Sequence, residues 1–477
     1  MKLKGFCNAA KNSWCSGEFT SGRCDCAGGT EIAMMYIAMA NDNSQIKNKI
    51  GILVGGGPAP GINGVIGAIA LEARTRAHKV IGIYDGFQWL MQGDIGHIKE
   101  LDHDDVSRVH FQGGSILNTS RANPTKKAED LNRVVDSLDR LGIGSLATIG
   151  GDDTMFAASQ VAKCAQGRIR VCHVPKTIDN DLPLPGEIPT FGFETARQLG
   201  SDLVQNLMED SRSTGRWYFV VVMGRSAGHL ALGIGKATGA TVTLIPEEFP
   251  GPIRMATVCD LLEGAILKRQ ALWNRSDGVA VIAEGLLEHM PVEEFKDIEG
   301  VRITHDSYGH LRLAEVDFAY ILKSLVEHRF AARGSPIAIV HKNIGYELRS
   351  AAPVAFDCEY VRTLGFGAVE FLLNPAINAA MLNGALVCLV NGKLDYLDFT
   401  SLKDATTGKT RVRRVDIDTP SYKVAREYMI RLEKEDFHDD EKLRQLAQAA
   451  SSAQNFCSPE QFRDRYQYLT TDLRGCI

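Results

Sequence analysis

Short apolar runs separated by stretches long enough for a helix recur from Lys49 onward, and this alternation constrains the fold most. Residues 50–54, 79–84, 146–149 and 170–174 come first; 217–222, 241–245, 278–282 and 337–340 follow. Between the first two, Val65, Ile66, Ile69 and Ala70 fall at helical spacing, as do Leu131, Val134, Val135, Leu138 and Leu141 ahead of the third. Runs apolar on both faces need cover on both faces, which helices give a parallel sheet. The expectation is an α/β protein of two domains, each a mostly parallel sheet covered by helices. One domain is expected over 49–189 with a return near 353–399. The other takes 190–352 and about 400–477.

Composition narrows the function classes. A formal charge of -5 opposes general binding to nucleic acid or to a membrane surface. No apolar run approaches the roughly 20 residues that span a bilayer, so a cytoplasmic protein is expected. Cys7, Cys15, Cys24 and Cys26 crowd the start of the chain without the paired spacing of a zinc site. Residues 1–48 are expected to be a poorly ordered extension, and Met34, Met35 and Met39 leave room for a downstream start. The remaining cysteines stand in apolar or mixed segments, as reduced thiols do. The charge-dense run 433–442 reads as a solvated helix face or loop without chemistry.

Sites in open α/β sheets form beyond the carboxyl ends of strands. After the first run comes Gly55-Gly-Gly-Pro-Ala-Pro-Gly-Ile-Asn63, whose glycines expose N–H groups to an anion; a tight turn explains it nearly as well. Gly150-Gly-Asp-Asp-Thr154 adds two carboxylates, and one of them suits an Mg²⁺ shared with phosphate oxygens. Pro175-Lys-Thr-Ile-Asp-Asn-Asp181 places Lys176 near Asp179 and Asp181. A carboxylate there can take a proton from an attacking alcohol, and the lysine can neutralise phosphoryl charge. An Asx-rich turn with a surface lysine is the alternative. Met223-Gly-Arg225, Glu247 and Gly345-Tyr-Glu-Leu-Arg349 complete the polar strand ends, with His229 read as a packing or hydrogen-bonding residue.

Together with Gly113-Gly-Ser-Ile-Leu-Asn-Thr-Ser-Arg121, these motifs resemble the phosphofructokinase family in order and spacing over about residues 49–400. The resemblance implies phosphoryl transfer to the 1-hydroxyl of fructose 6-phosphate. Asp179 matches the catalytic base, Asp181 its neighbouring carboxylate, and Asp152 the aspartate linked to Mg²⁺. Arg121 and Gly57 match groups that stabilise the transferring phosphoryl. Thr177, Met223, Gly224, Arg225, Glu247, Tyr346 and Arg349 fall on sugar-phosphate positions. Arg216 matches an arginine that reaches a neighbouring subunit's sugar site, which implies a homo-oligomer, either dimer or tetramer.

Asp153 bears on the donor. ATP-using relatives typically carry glycine after Gly-Gly-Asp, leaving room for the α-phosphate and ribose. A carboxylate about 4 Å from that phosphate costs roughly 4 kcal/mol at an effective dielectric of 20, whereas pyrophosphate ends before the clash. With Lys176 as an added cation, the pair resembles the diphosphate-dependent branch. An ATP-dependent 6-phosphofructokinase and a non-catalytic sugar-phosphate-binding subunit are the alternatives.

Overall fold

The computed structural model describes residues 48–249, 251–295, 316–403, 410–452 and 455–470. The cysteine-bearing extension and Cys476 lie outside the described residues. Two sheets organise the chain. The first contains β1 (Lys49–Val54), β2 (Lys79–Ile83), β3 (Ile98–Glu100), β4 (Ile143–Gly150) and β5 (Arg170–Pro175). The second contains β6 (Trp217–Val222), β7 (Val242–Leu244), β8 (Gly278–Ala283) and β9 (Ile339–Ile344). The chain then returns to the first sheet with β10 (Ala385–Val390) and β11 (Lys393–Asp398).

The seven-stranded order is β11-β10-β5-β4-β1-β2-β3, and the four-stranded order is β7-β8-β6-β9. β1, β2, β4, β5 and β10 run parallel, while β3 and β11 close the two edges antiparallel. The second sheet is parallel throughout. The α/β expectation therefore holds, with antiparallel edges the apolar runs did not announce. Asn391 and Gly392 both have positive φ (50° and 76°) in the β10–β11 hairpin, the turn chemistry that Asn-Gly favours.

Burial explains the parallel strands. Every residue of β6 and β8 is buried, and each buried Val, Leu or Ile contributes about 1.5–3 kcal/mol relative to exposure. Helices cover both faces: Ile62–Thr75 and Ala355–Leu373 pack together on one side of the first sheet. β9 begins at Ile339, later than its apolar run suggests, and continues through His341, Lys342 and Asn343. It is an edge strand, where polar side chains meet solvent. The helix predicted over Leu131–Leu141 spans Ala128–Arg140, with Leu141 as its cap.

In the charge-dense run, helices Lys434–His438 and Asp440–Ala449 form, yet Asp436 and Phe437 are buried. Asp436 accepts from Lys268 Nζ at 2.5 Å. The run is therefore not purely a solvated face, because an ion pair ties it to helix Met255–Trp273. Cys172, Cys259 and Cys388 are buried free thiols, and Cys164, Cys358 and Cys457 are partly exposed. Among the described residues, no helix is long and apolar enough to cross a membrane.

Strand order reverses between β1 and β4, and again between β6 and β9. Such switch points open a crevice at the carboxyl ends of the strands. The glycine-rich turn and Gly150-Gly-Asp-Asp leave from the first; Met223-Gly-Arg and Gly345–Arg349 leave from the second.

Candidate active site

At the first crevice, Thr154 explains two glycines at once. A Cβ on Gly55 would stand 2.9 Å from Thr154 Cγ2, and one on Gly150 would stand 2.7 Å from it. Only backbone without side chains lets the two strand ends close on that threonine. Gly55 and Gly56 N–H donate to Ile149 O and Ser120 O. Beneath the turn lies His173, fully buried, with Thr148 Oγ1 2.9 Å from Nδ1 and Gly150 O 3.0 Å from Nε2. Since the carbonyl accepts, Nε2 carries the proton; burial lowers the imidazole pKa to about 3.

Asp152 and Asp153 are the first residues of helix Asp152–Ala165. Two acids there interact favourably with the helix dipole, by about 0.3–1 kcal/mol each. That accounts structurally for the pair whatever it does to a ligand. Asp152 Oδ2 lies 3.9 Å from Arg225 Nη2, a contact that crosses from the first sheet to the second.

Lys176 follows β5 and is only 5% exposed. Its ammonium donates to Gly57 O, and its own N–H donates to Gly150 O at 2.8 Å. Burial lowers its pKa to about 8, with the nearby Arg349 cation adding to the effect. A buried lysine this close to neutrality responds strongly to any anion placed beside it. Arg349 itself lies over Gly57, where a Cβ would meet its Cζ at 3.4 Å. The sequence grouped Arg349 with the sugar side, but its guanidinium here borders the glycine-rich turn.

The turn after Lys176 carries the two remaining aspartates. Asp179 N–H donates to Thr177 Oγ1 at 3.0 Å, and Thr190 Oγ1 donates to Thr177 O at 2.7 Å. Between the aspartates, Asn180 takes φ +57°, a left-handed conformation that costs most residues roughly 1–2 kcal/mol and asparagine less. Burial raises the Asp181 carboxyl to about 7, and the charges of Asp179 and Asp152 reinforce that shift. A cation beside these carboxylates would relieve the charge that Asp179 and Asp152 exert on Asp181. Among the described residues, no three His, Cys, Asp or Glu side chains converge as a self-sufficient metal cage. Mg²⁺ binds through one or two carboxylates while substrate phosphates and water fill its shell, so Asp152 is a sufficient protein ligand for it.

At the second crevice, Met223 packs on Gly345, where a Cβ would meet Met223 Cε at 2.7 Å. Gly224 N–H donates to Glu284 Oε2 at 3.2 Å. Arg225 pairs with Glu288 at 3.6 Å, and despite burial its pKa is raised by Asp152 and Glu288. Tyr346 is 65% exposed and stacks under Arg349, whose Cζ is 5.1 Å from the ring centroid. Glu247 is committed elsewhere: its carboxylate accepts from Gly228 N–H at 2.9 Å and Val415 N–H at 3.0 Å.

Glu284 is the residue the sequence reading passed over. It follows β8 directly, is 7% exposed, and burial raises its pKa to about 7, with the Asp179 charge contributing. The strand-end rule applied to β8 would have found it. Arg413, whose N–H donates to Asp181 O at 2.7 Å, has no local signal at all. Arg121 is exposed and its charge reaches Lys176. Arg216 is not brought to the cluster. It precedes β6, bonds Thr214 Oγ1 at 2.7 Å, and stands about 20 Å along the strand from Met223 at ordinary strand rise. His229 donates from Nε2 to Arg413 O at 3.2 Å, the hydrogen-bonding role expected of it.

Two mostly parallel sheets that turn their carboxyl ends toward one cluster of aspartates, arginines and a buried lysine define an α/β enzyme for anionic substrates. Residues 49–372 match the family described as Phosphofructokinase, and the chain belongs to that family. It is 55% identical over 422 residues to the pyrophosphate–fructose 6-phosphate 1-phosphotransferase of Thermotoga maritima, covering 88% of this chain and 99% of that one. A protein of the same name from Naegleria fowleri is 50% identical over 427 residues, with 88% and 95% covered. The crystal structure of a pyrophosphate-dependent phosphofructokinase from Nitrosospira multiformis superposes with a TM-score of 0.61. It covers 85% of this chain and 92% of its own at 15% identity, a likeness of fold.

Proposed function

We propose that the chain transfers a phosphoryl group reversibly from pyrophosphate to the 1-hydroxyl of fructose 6-phosphate, giving fructose 1,6-bisphosphate and phosphate. The observation that carries this reading is Lys176, buried between the Gly57 carbonyl and the Asp179–Asp181 turn. Pyrophosphate has no adenosine to hold it, and a desolvated cation supplies attraction that water would otherwise screen.

The sugar hydroxyl gives its proton to Asp179 as its oxygen bonds to the nearer phosphorus. The bond from that phosphorus to the bridging oxygen breaks, and inorganic phosphate leaves. Lys176 and Arg121 face the phosphoryl charge, with Gly57 on the same side. Mg²⁺, held by Asp152 and the phosphates, would neutralise charge on the diphosphate oxygens. Asp181 beside Asp179 keeps the base surrounded by negative potential when no cation is bound. Arg225 and Glu284 orient the sugar, together with Thr177, Met223, Gly224 and Tyr346. We assign Glu247 to holding the Gly228 and Val415 backbone rather than to direct contact with the sugar. Arg349 then links the two sides. The seven-stranded half is the donor domain and the four-stranded half the sugar-phosphate domain. With Arg216 at the far end of β6, a neighbouring subunit of a dimer or tetramer would receive it.

Parallel assays of purified protein with pyrophosphate and with ATP test the reading. Turnover with pyrophosphate and little with ATP is expected. Appreciable turnover with ATP alone defeats the donor assignment, and none with either defeats the reaction.

A further inference from the structure

The segment 410–418 lies beyond the residues matched to the family, 49–372, yet it reaches the centre of the site. Leu402, just before it, is buried in a core of the seven-stranded half, and Val415 is buried in a core of the four-stranded half. Between these anchors the chain passes the turn that carries Asp179 and Asp181. Arg413 N–H donates to Asp181 O at 2.7 Å. Its guanidinium donates from Nε to Asn180 O at 3.0 Å, from Nη1 to Ile188 O at 2.8 Å, and from Nη2 to Asn180 Oδ1. Its carbonyl in turn accepts from His229.

We propose that Arg413 is a positioning residue for phosphoryl transfer, clamping both legs of the 177–190 loop so that Asp179 and Asp181 project at a fixed angle. The inference rests on the assignment of Asp179 as base. Asn180 sits between the two aspartates in the left-handed region and is 8% exposed. Its carbonyl and side-chain oxygen both face Arg413, while Thr190 N–H also donates to that side-chain oxygen at 3.0 Å. Without the guanidinium, the Asn180 and Ile188 carbonyls lose their donors, and the turn is free to relax toward ordinary φ. A planar fork with five N–H donors can serve three acceptors on two chain segments together; a lysine ammonium is a point donor and cannot.

The test compares wild type, Arg413→Ala, Arg413→Lys and, as a control, Arg411→Ala. Among the described residues, Arg411 bonds the Ser401 and Leu402 carbonyls, ahead of the segment. With pyrophosphate and fructose 6-phosphate, Arg413→Ala should lose about 100-fold in kcat, the scale expected of a base displaced by about 1 Å. Both KM values should stay within about threefold, because the same principle moves the reacting atoms rather than the binding groups. Arg413→Lys should fall between the two, and Arg411→Ala should match wild type. Millimolar guanidinium should restore part of the Arg413→Ala rate where equal urea does not. Deuterium uptake should rise in 177–190 and not elsewhere. A kcat within threefold of wild type overturns the proposal, as does a loss explained by a smaller folded fraction. Should wild type turn over neither donor, the assigned reaction falls instead; unchanged uptake across 177–190 then still overturns the clamp.

Discussion

The two crevices place charge by different means. At the seven-stranded sheet, chemistry sits in contiguous stretches: Gly55–Gly57, Gly150–Asp153 and Lys176–Asp181 each leave a strand end and carry several functional groups apiece. At the four-stranded sheet it is assembled from single residues on separate strands, with Arg225 after β6, Glu284 after β8 and Arg349 after β9. The first arrangement buries its charges and crowds like ones together, which raises Asp181 and brings Lys176 down to about 8. The second pairs opposite charges, Arg225 with Glu288 and with Asp152. For the proposed reaction, unspent charge suits the binding of cation and diphosphate. Fixed geometry suits the orientation of a sugar phosphate in the same proposal.

Substitutions on each side should expose that difference. Asp179→Asn removes the base and should lower kcat by about 1,000-fold with pyrophosphate, within the range for general-base loss. A steady-state assay checks it, and near-normal turnover would move the base elsewhere. Lys176→Met should lower kcat/KM for pyrophosphate by about 100-fold, as loss of one preorganised charge partner does. Because free Lys176 titrates at about 8, wild-type kcat/KM for pyrophosphate should decline as pH rises through that value. The variant should lose this alkaline limb, and a limb that survives would acquit the lysine.

Across the cleft, Glu284→Gln should raise KM for fructose 6-phosphate by about tenfold, the worth of one charged hydrogen bond, and leave kcat nearly intact. It should also stabilise the substrate-free protein. The folded carboxyl titrates at about 7, above an unfolded value near 4.3, so ionisation penalises the fold. The advantage of the variant is full above pH 7 and vanishes as pH falls through the interval to the unfolded value. Thermal midpoints at pH 8 and pH 4 measure it; a variant less stable at pH 8 contradicts the assigned burial cost. Asp153→Gly should change pyrophosphate turnover least, within about threefold, since Asp153 is outside the assigned proton path. It should admit ATP, and continued exclusion of ATP would leave Asp153 as a helix-terminal acid alone.

Contiguity decided what was legible. Gly150-Gly-Asp-Asp and Lys-Thr-Ile-Asp-Asn-Asp declare themselves because their groups are neighbours in the chain. Glu284 is one carboxylate after one strand, distinguishable only once β8 lies beside β6. Arg413 is 233 residues from the Asn180 it holds, and nothing around it marks the contact. Asn391-Gly392 is likewise a contiguous signal, for a hairpin rather than a parallel crossover.

By itself the sequence determined the α/β class and the strand-end loops, because hydrophobic period and glycine turns are local properties of the backbone. The tertiary structure decided which loops meet, which acids are buried, and that Glu247 turns to the backbone while Glu284 feels the Asp179 charge. Desolvation and charge–charge coupling depend on distances across the fold, and no local pattern encodes them.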